Sequence, residues 1–240
     1  MTETDNPEVV FNTDSRFFAR FVMLLAALIV FAFGLHAVLG RAAYTAGLVW
    51  PHVHAGLMLA WLAACVTQAR LAANGNLALH RRLGWATAYL TVGAVASMSY
   101  AGIAAVRSGL VPPFFTPPFL LALTQVGAVV FGGLVFAAIA RRSQTDYHRR
   151  LMAGSLVLLA DPALGRLLPM PLLGNAGEWA TMAIQLAMIG VIALHDRRVI
   201  GRIHQATATS GAIIAMGHVL VALSGNSPFV IDLADRLAGG

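Results

Sequence analysis

The chain has 240 residues, 58% of them hydrophobic and only 11% charged, with a mean hydropathy of +0.75. A soluble domain carries about a quarter charged residues, so lipid is the solvent for most of this one. All 16 basic residues are Arg; the absence of Lys excludes Schiff-base chemistry on Lys, and a retinal-binding photoreceptor with it.

Residues 1–16 are a polar tail with Glu3, Asp5, Glu8 and Asp14. A secretory leader has a basic region there, so the first apolar run is expected to remain as a helix. A helix crossing the hydrocarbon core needs about 20 residues. Seven segments qualify: 17–39, 54–73, 83–106, 118–140, 149–170, 178–195 and 203–223. The fifth is interrupted by Asp161-Pro162 and carries Arg166, and the sixth is short and carries Gln185. Short loops make sequence neighbours antiparallel neighbours in space. Gly93, Gly102, Gly127, Gly132 and Gly133 let membrane helices approach closely. Residues 224–240 read as a short amphipathic helix lying at the interface. The expected fold is therefore all-α: a seven-helix membrane domain over 17–223 between two short tails.

Orientation follows from the Arg residues. The N-terminal flank and the 2–3, 4–5 and 6–7 loops hold twelve, against four (Arg41, Arg107, Arg166, Arg236) on the other side. This places the N-terminus in the cytoplasm and the C-terminus outside. The loop Arg anchor lipid headgroups and are not a nucleic-acid footprint. The absence of Lys with abundant Ala, Arg and Gly suggests a GC-rich bacterial genome, and a bacterial inner membrane is the expected location. Cys65 stands alone in an apolar segment, so neither a disulfide within the chain nor a thiolate zinc site is expected.

The eight His fall into two layers. Leu79-His80-Arg81-Arg82-Leu83 and Tyr147-His148-Arg149-Arg150-Leu151 open the third and fifth segments with nearly the same phrase. His204 opens the seventh and His195 closes the sixth on the same side. These four form an inner layer. His36, His52, His54 and His218 form an outer one. A basic His-Arg-Arg cluster at a helix start also serves as a plain phosphate anchor. Each outer His lies on an apolar segment and needs a hydrogen-bond partner, a metal or a haem iron. Asp161 falls near the midplane, where a carboxylate marks either a functional site or a structural pair with Arg166.

His54-Ala55-Gly56-Leu57-Met58-Leu59-Ala60-Trp61 and His80-Arg81-Arg82-Leu83-Gly84 resemble helix openings of transmembrane b-type cytochromes of the ferric and ascorbate reductase type. The resemblance covers residues 54–84 and implies that His54 and His80 are haem ligands. Helix 4, residues 118–140, departs from that family because it contains no His. The overall pattern also resembles a widespread group of bacterial multi-pass membrane proteins.

Three functions are expected in order. The first is a redox protein holding b-type haem, with His54 and His218 facing an outer haem and His80 and His148 an inner one. Arg81 and Arg150 would neutralise propionates, and quinone or a small reductant would be the partner. The second is a membrane hydrolase with zinc or another divalent metal on His80, His148 and His204. The third is a transporter or a non-catalytic membrane subunit.

Overall fold

The computed structural model describes residues 7–40, 47–174 and 176–239. Every regular element among them is helical. The order is α1 (Pro7–Val38), α2 (Trp50–Ala73), α3 (Leu77–Arg107), α4 (Pro117–Ala140), α5 (Thr145–Leu159), α6 (Asp161–Leu167), α7 (Met170–Leu173), α8 (Ala176–Ile200), α9 (Gln205–Gly225) and α10 (Pro228–Gly239). Six of these are long and apolar enough to cross a membrane: α1, α2, α3, α4, α8 and α9. The chain has the architecture of a polytopic helical membrane protein. Arg41, counted above on the outer side, lies outside the described residues.

Local chemistry sets the helix ends. Asn76 caps α3 by accepting from Leu79 N–H at 3.2 Å. Thr116 caps α4 in the same way, ahead of Pro117 and Pro118, which have no N–H to lose there. Gly201, at φ +73°, turns the chain between α8 and α9.

Two boundaries differ from expectation. The N-terminal segment 1–16 is not a tail throughout: α1 already runs from Pro7, and Asp14 is only 3% exposed. The fifth segment is not one continuous helix. It splits into α5 and α6 at Ala160, because Pro162 removes the N–H that the Leu158 carbonyl would accept from.

The core is built around Trp61 and Phe131, whose rings meet edge to face at 4.8 Å. Trp61 is fully buried, and its Nε1–H donates to Thr91 Oγ1 at 2.9 Å. Outward-facing apolar side chains are left uncovered: Leu24, Tyr89, Val129 and Leu223 are 66% to 76% exposed. In water that surface would drive aggregation; in lipid it costs nothing. α10 packs across α3 and α4, and Gly225 at the end of α9 sits against Phe119.

α5 and α6 together run beside α1. At one end Asp14 pairs with Arg150 at 3.2 Å. At the other, His36 Nε2–H donates to the Arg166 carbonyl at 2.8 Å. The stretch of α1 between Asp14 and His36 rises about 33 Å.

Candidate functional site

The two copies of the His-Arg-Arg phrase come together. His80 and His148 place their ring centroids 6.2 Å apart with planes at 84°. Each Nδ1 faces a backbone carbonyl, Gln68 O at 3.2 Å for His80 and Ala138 O at 2.9 Å for His148. A carbonyl only accepts, so each ring donates from Nδ1, and the neutral form of each has its lone pair on Nε2. This arrangement of tautomer and anchor is the one that orients a metal-ligating imidazole. The rings come from α3 and α5, while their anchors come from the C-terminal parts of α2 and α4. Both side chains are half-buried, and Arg81 is exposed beside them.

Arg150, expected at a haem propionate, is elsewhere. It is 1% exposed and ion-paired with Asp196 at 2.7 Å and with Asp14 at 3.2 Å. Arg149 also reaches Asp14, at 3.3 Å. His195 Nε2 lies 2.7 Å from Asp14 Oδ1, and its ring stacks on Phe17 at 3.7 Å. Asp196 is fully buried and accepts from Thr207 Oγ1 at 2.6 Å and from the His204 N–H at 3.1 Å. The network ties α1, α5, α8 and α9 together at the Arg-rich end. A buried guanidinium is tolerable only with such pairing, so Arg150 is committed to the fold.

The expected zinc triad is not assembled. His204 Nδ1 accepts from Ala206 N–H at 3.1 Å, capping α9, and its ring packs on Tyr147 at 4.6 Å. Among the described residues no group of three His, Cys, Asp or Glu side chains is placed to hold a metal ion. Two imidazoles remain, not three.

The outer layer is also not a ligand pair. Because α2 is helical from Trp50, His52 and His54 diverge, and His52 points outward and is exposed. His54 Nδ1 meets Ser97 Oγ at 3.1 Å. That hydroxyl already donates to Ala94 O, so it accepts from His54. The pair lines a groove of about 480 Å³ between α2 and α3 with Trp50, Leu57, Gly93 and Tyr100. His218 lies in a different place, between α8 and α9. Its Nδ1 is 2.6 Å from Glu178 Oε1 and its Nε2 3.0 Å from Gln185 Oε1. Both nitrogens are engaged, so it offers no lone pair to iron. Asp161 does not pair with Arg166, which bonds the Pro162 carbonyl and stacks on Phe33 at 4.0 Å. Asp161 instead faces Gln185 Nε2 at 3.5 Å.

Three carboxylates that matter here escaped the sequence reading. Asp14 falls in the expected polar tail, and no motif singles out Asp196 or Glu178. No protein-family model, curated protein or solved structure matches the chain significantly.

Proposed function

We propose that the chain is a redox protein of the bacterial inner membrane that holds one b-type haem between His80 and His148. The observation that supports this reading is the pair itself. Two imidazoles from different helices stand 6.2 Å apart, each tied at Nδ1 and free at Nε2. That spacing accommodates one metal ion at about 2 Å from a nitrogen of each ring. Two protein ligands suit haem iron, whose other four positions belong to the porphyrin, whereas a zinc site takes three or more protein ligands. Haem bound there would supply one-electron chemistry. The protein's part is to fix both tautomers through the Gln68 and Ala138 carbonyls. The exposed guanidinium of Arg81 is available to a propionate, and Arg150 is not.

The same reading takes α5 and α6 as one broken crossing, which makes seven. Support comes from the contacts at both ends of α1, because a rise of about 33 Å matches a hydrocarbon core of about 30 Å. With the Arg-rich end in the cytoplasm, the haem lies near the cytoplasmic face and the C-terminus outside.

An absorption spectrum of the detergent-purified protein, produced with haem available, tests the reading. The expected result is a Soret band with sharp bands on dithionite reduction, at one haem per chain. H80A and H148A each lose it, while H204A and H218A keep it. Folded wild-type protein with a featureless spectrum would overturn the assignment.

A further inference from the structure

We propose that Glu178, His218, Gln185 and Asp161 form a proton-binding site in the half of the bundle away from the Arg-rich end. The bound proton lies between His218 Nδ1 and Glu178 Oε1. The inference stands apart from haem binding and uses none of the same residues.

The starting point is Pro162. It has no N–H, so the Leu158 carbonyl four residues earlier loses its helical donor. Gln185, fully buried on α8, supplies the replacement: its Nε2 lies 3.3 Å from Leu158 O and 3.5 Å from Asp161 Oδ1. Both are acceptors. Reversing the amide would set its oxygen against two other oxygens in a dry site. The amide oxygen therefore faces His218, and His218 Nε2 must donate to it at 3.0 Å.

A neutral imidazole has one N–H, and this one is now spent on Gln185. Yet Nδ1 stands 2.6 Å from Glu178 Oε1. Two lone pairs do not approach so closely, so a proton lies between them, carried by the ring or by the carboxyl. The pair thus holds one proton more than a neutral imidazole and a carboxylate. Its uptake is a simple transfer from hydronium, which leaves water behind. No reductant or second substrate is needed.

The surroundings suit reversible loading. The charged groups that act on His218 are Glu178 from α8 and Asp161 from α6, both acidic. Arg166 on α6 is turned to the Pro162 carbonyl and to Phe33. The proton is therefore the cation that offsets one of these two carboxylates. Glu178 is its surface member, with an 11% exposed side chain in the first turn of α8, against 4% for His218. Gln185 lies about 10 Å deeper along α8. Without the proton, Nδ1 and Oε1 repel, and the polar link between α8 and α9 opens at that point. Proton occupancy is in this way coupled to helix packing.

The experiment is nitrogen NMR of ring-¹⁵N-histidine protein in lipid nanodiscs at neutral pH, with His218 assigned by its loss in H218Q. Infrared spectra of wild type and E178Q are recorded alongside. The expected result is a protonated Nε2, together with either a protonated Nδ1 or a protonated-carboxyl band that E178Q removes. In E178Q the ring is expected to become singly protonated. A wild-type ring with bare Nε2, or with bare Nδ1 beside an ionised Glu178, would overturn the proposal. The wild-type measurement decides the matter even if the variants fold poorly.

Discussion

The two ends of the bundle each bury acidic side chains, and they balance them differently. At the Arg-rich end, Asp14 and Asp196 meet the guanidiniums of Arg149 and Arg150 at 2.7 to 3.3 Å. Arg is always charged, so that balance holds at any working pH. At the other end, Glu178 and Asp161 face one imidazole and an amide. Imidazole changes charge near neutral pH, so the second balance depends on a proton. The first arrangement suits a permanent clamp between α1, α5, α8 and α9. The second suits a site that loads and unloads.

The contrast predicts unequal responses to mutation. The largest effect is expected for D196A, which leaves Arg150 buried beside a missing partner. Loss of one member of a buried pair costs about 3–5 kcal/mol. Chemical unfolding in detergent would read this, and a loss within error of zero would show that the clamp contributes nothing. H218Q keeps a polar, neutral side chain at the other end. It is expected to cost less than D196A, because no permanent charge is left uncompensated.

Packing comes next. Gly154 of α5 lies against Ser210 of α9, and Gly102 of α3 lies against Thr124 of α4. A methyl at either Gly would overlap the facing side chain, so G154A and G102A are each expected to cost about 1–3 kcal/mol. Gly127 and Gly133 face open space, and G133A is the control expected to change stability little. If G133A proves as costly as G102A, close helix approach is not the reason for the loss.

The smallest effect concerns His204, at the start of α9. Burial, followed by the charge of Arg150, pulls its imidazole below the ordinary value of 6.5. The neutral ring is the one that caps α9, since Nδ1 must accept from Ala206 N–H. A lowered folded value means the unfolded chain binds the proton more readily. The contribution is therefore complete above pH 6.5 and declines as pH falls through the folded value. Cap residues are worth about 0.5–2 kcal/mol, which bounds the change. H204N keeps a capping side chain that does not titrate. Its melting temperature should fall less than that of the wild type between neutral and mildly acid pH, and parallel curves would remove His204 as the cause.

Much of the fold is legible in the sequence because lipid imposes a one-dimensional rule. Apolar runs of about 20 residues become helices. The ranges expected for helices 2, 3 and 4 lie within the observed α2, α3 and α4. The break at Asp161-Pro162 is legible too, because proline acts locally. The His80–His148 pair was expected from the repeated phrase, and the structure brings the two rings together. Contacts across the bundle are another matter. Asp14 and His195 are separated by 181 positions, yet lie 2.7 Å apart. No periodicity along the chain encodes such a pairing. The sequence by itself determined which segments form the long apolar helices and where proline breaks the fifth. Only the tertiary structure decided which polar groups share a site. Within the membrane an unpartnered buried polar atom is costly, and the choice among partners is made by packing in three dimensions. For this reason Arg150 belongs to a clamp, His204 to a helix cap and His218 to Glu178.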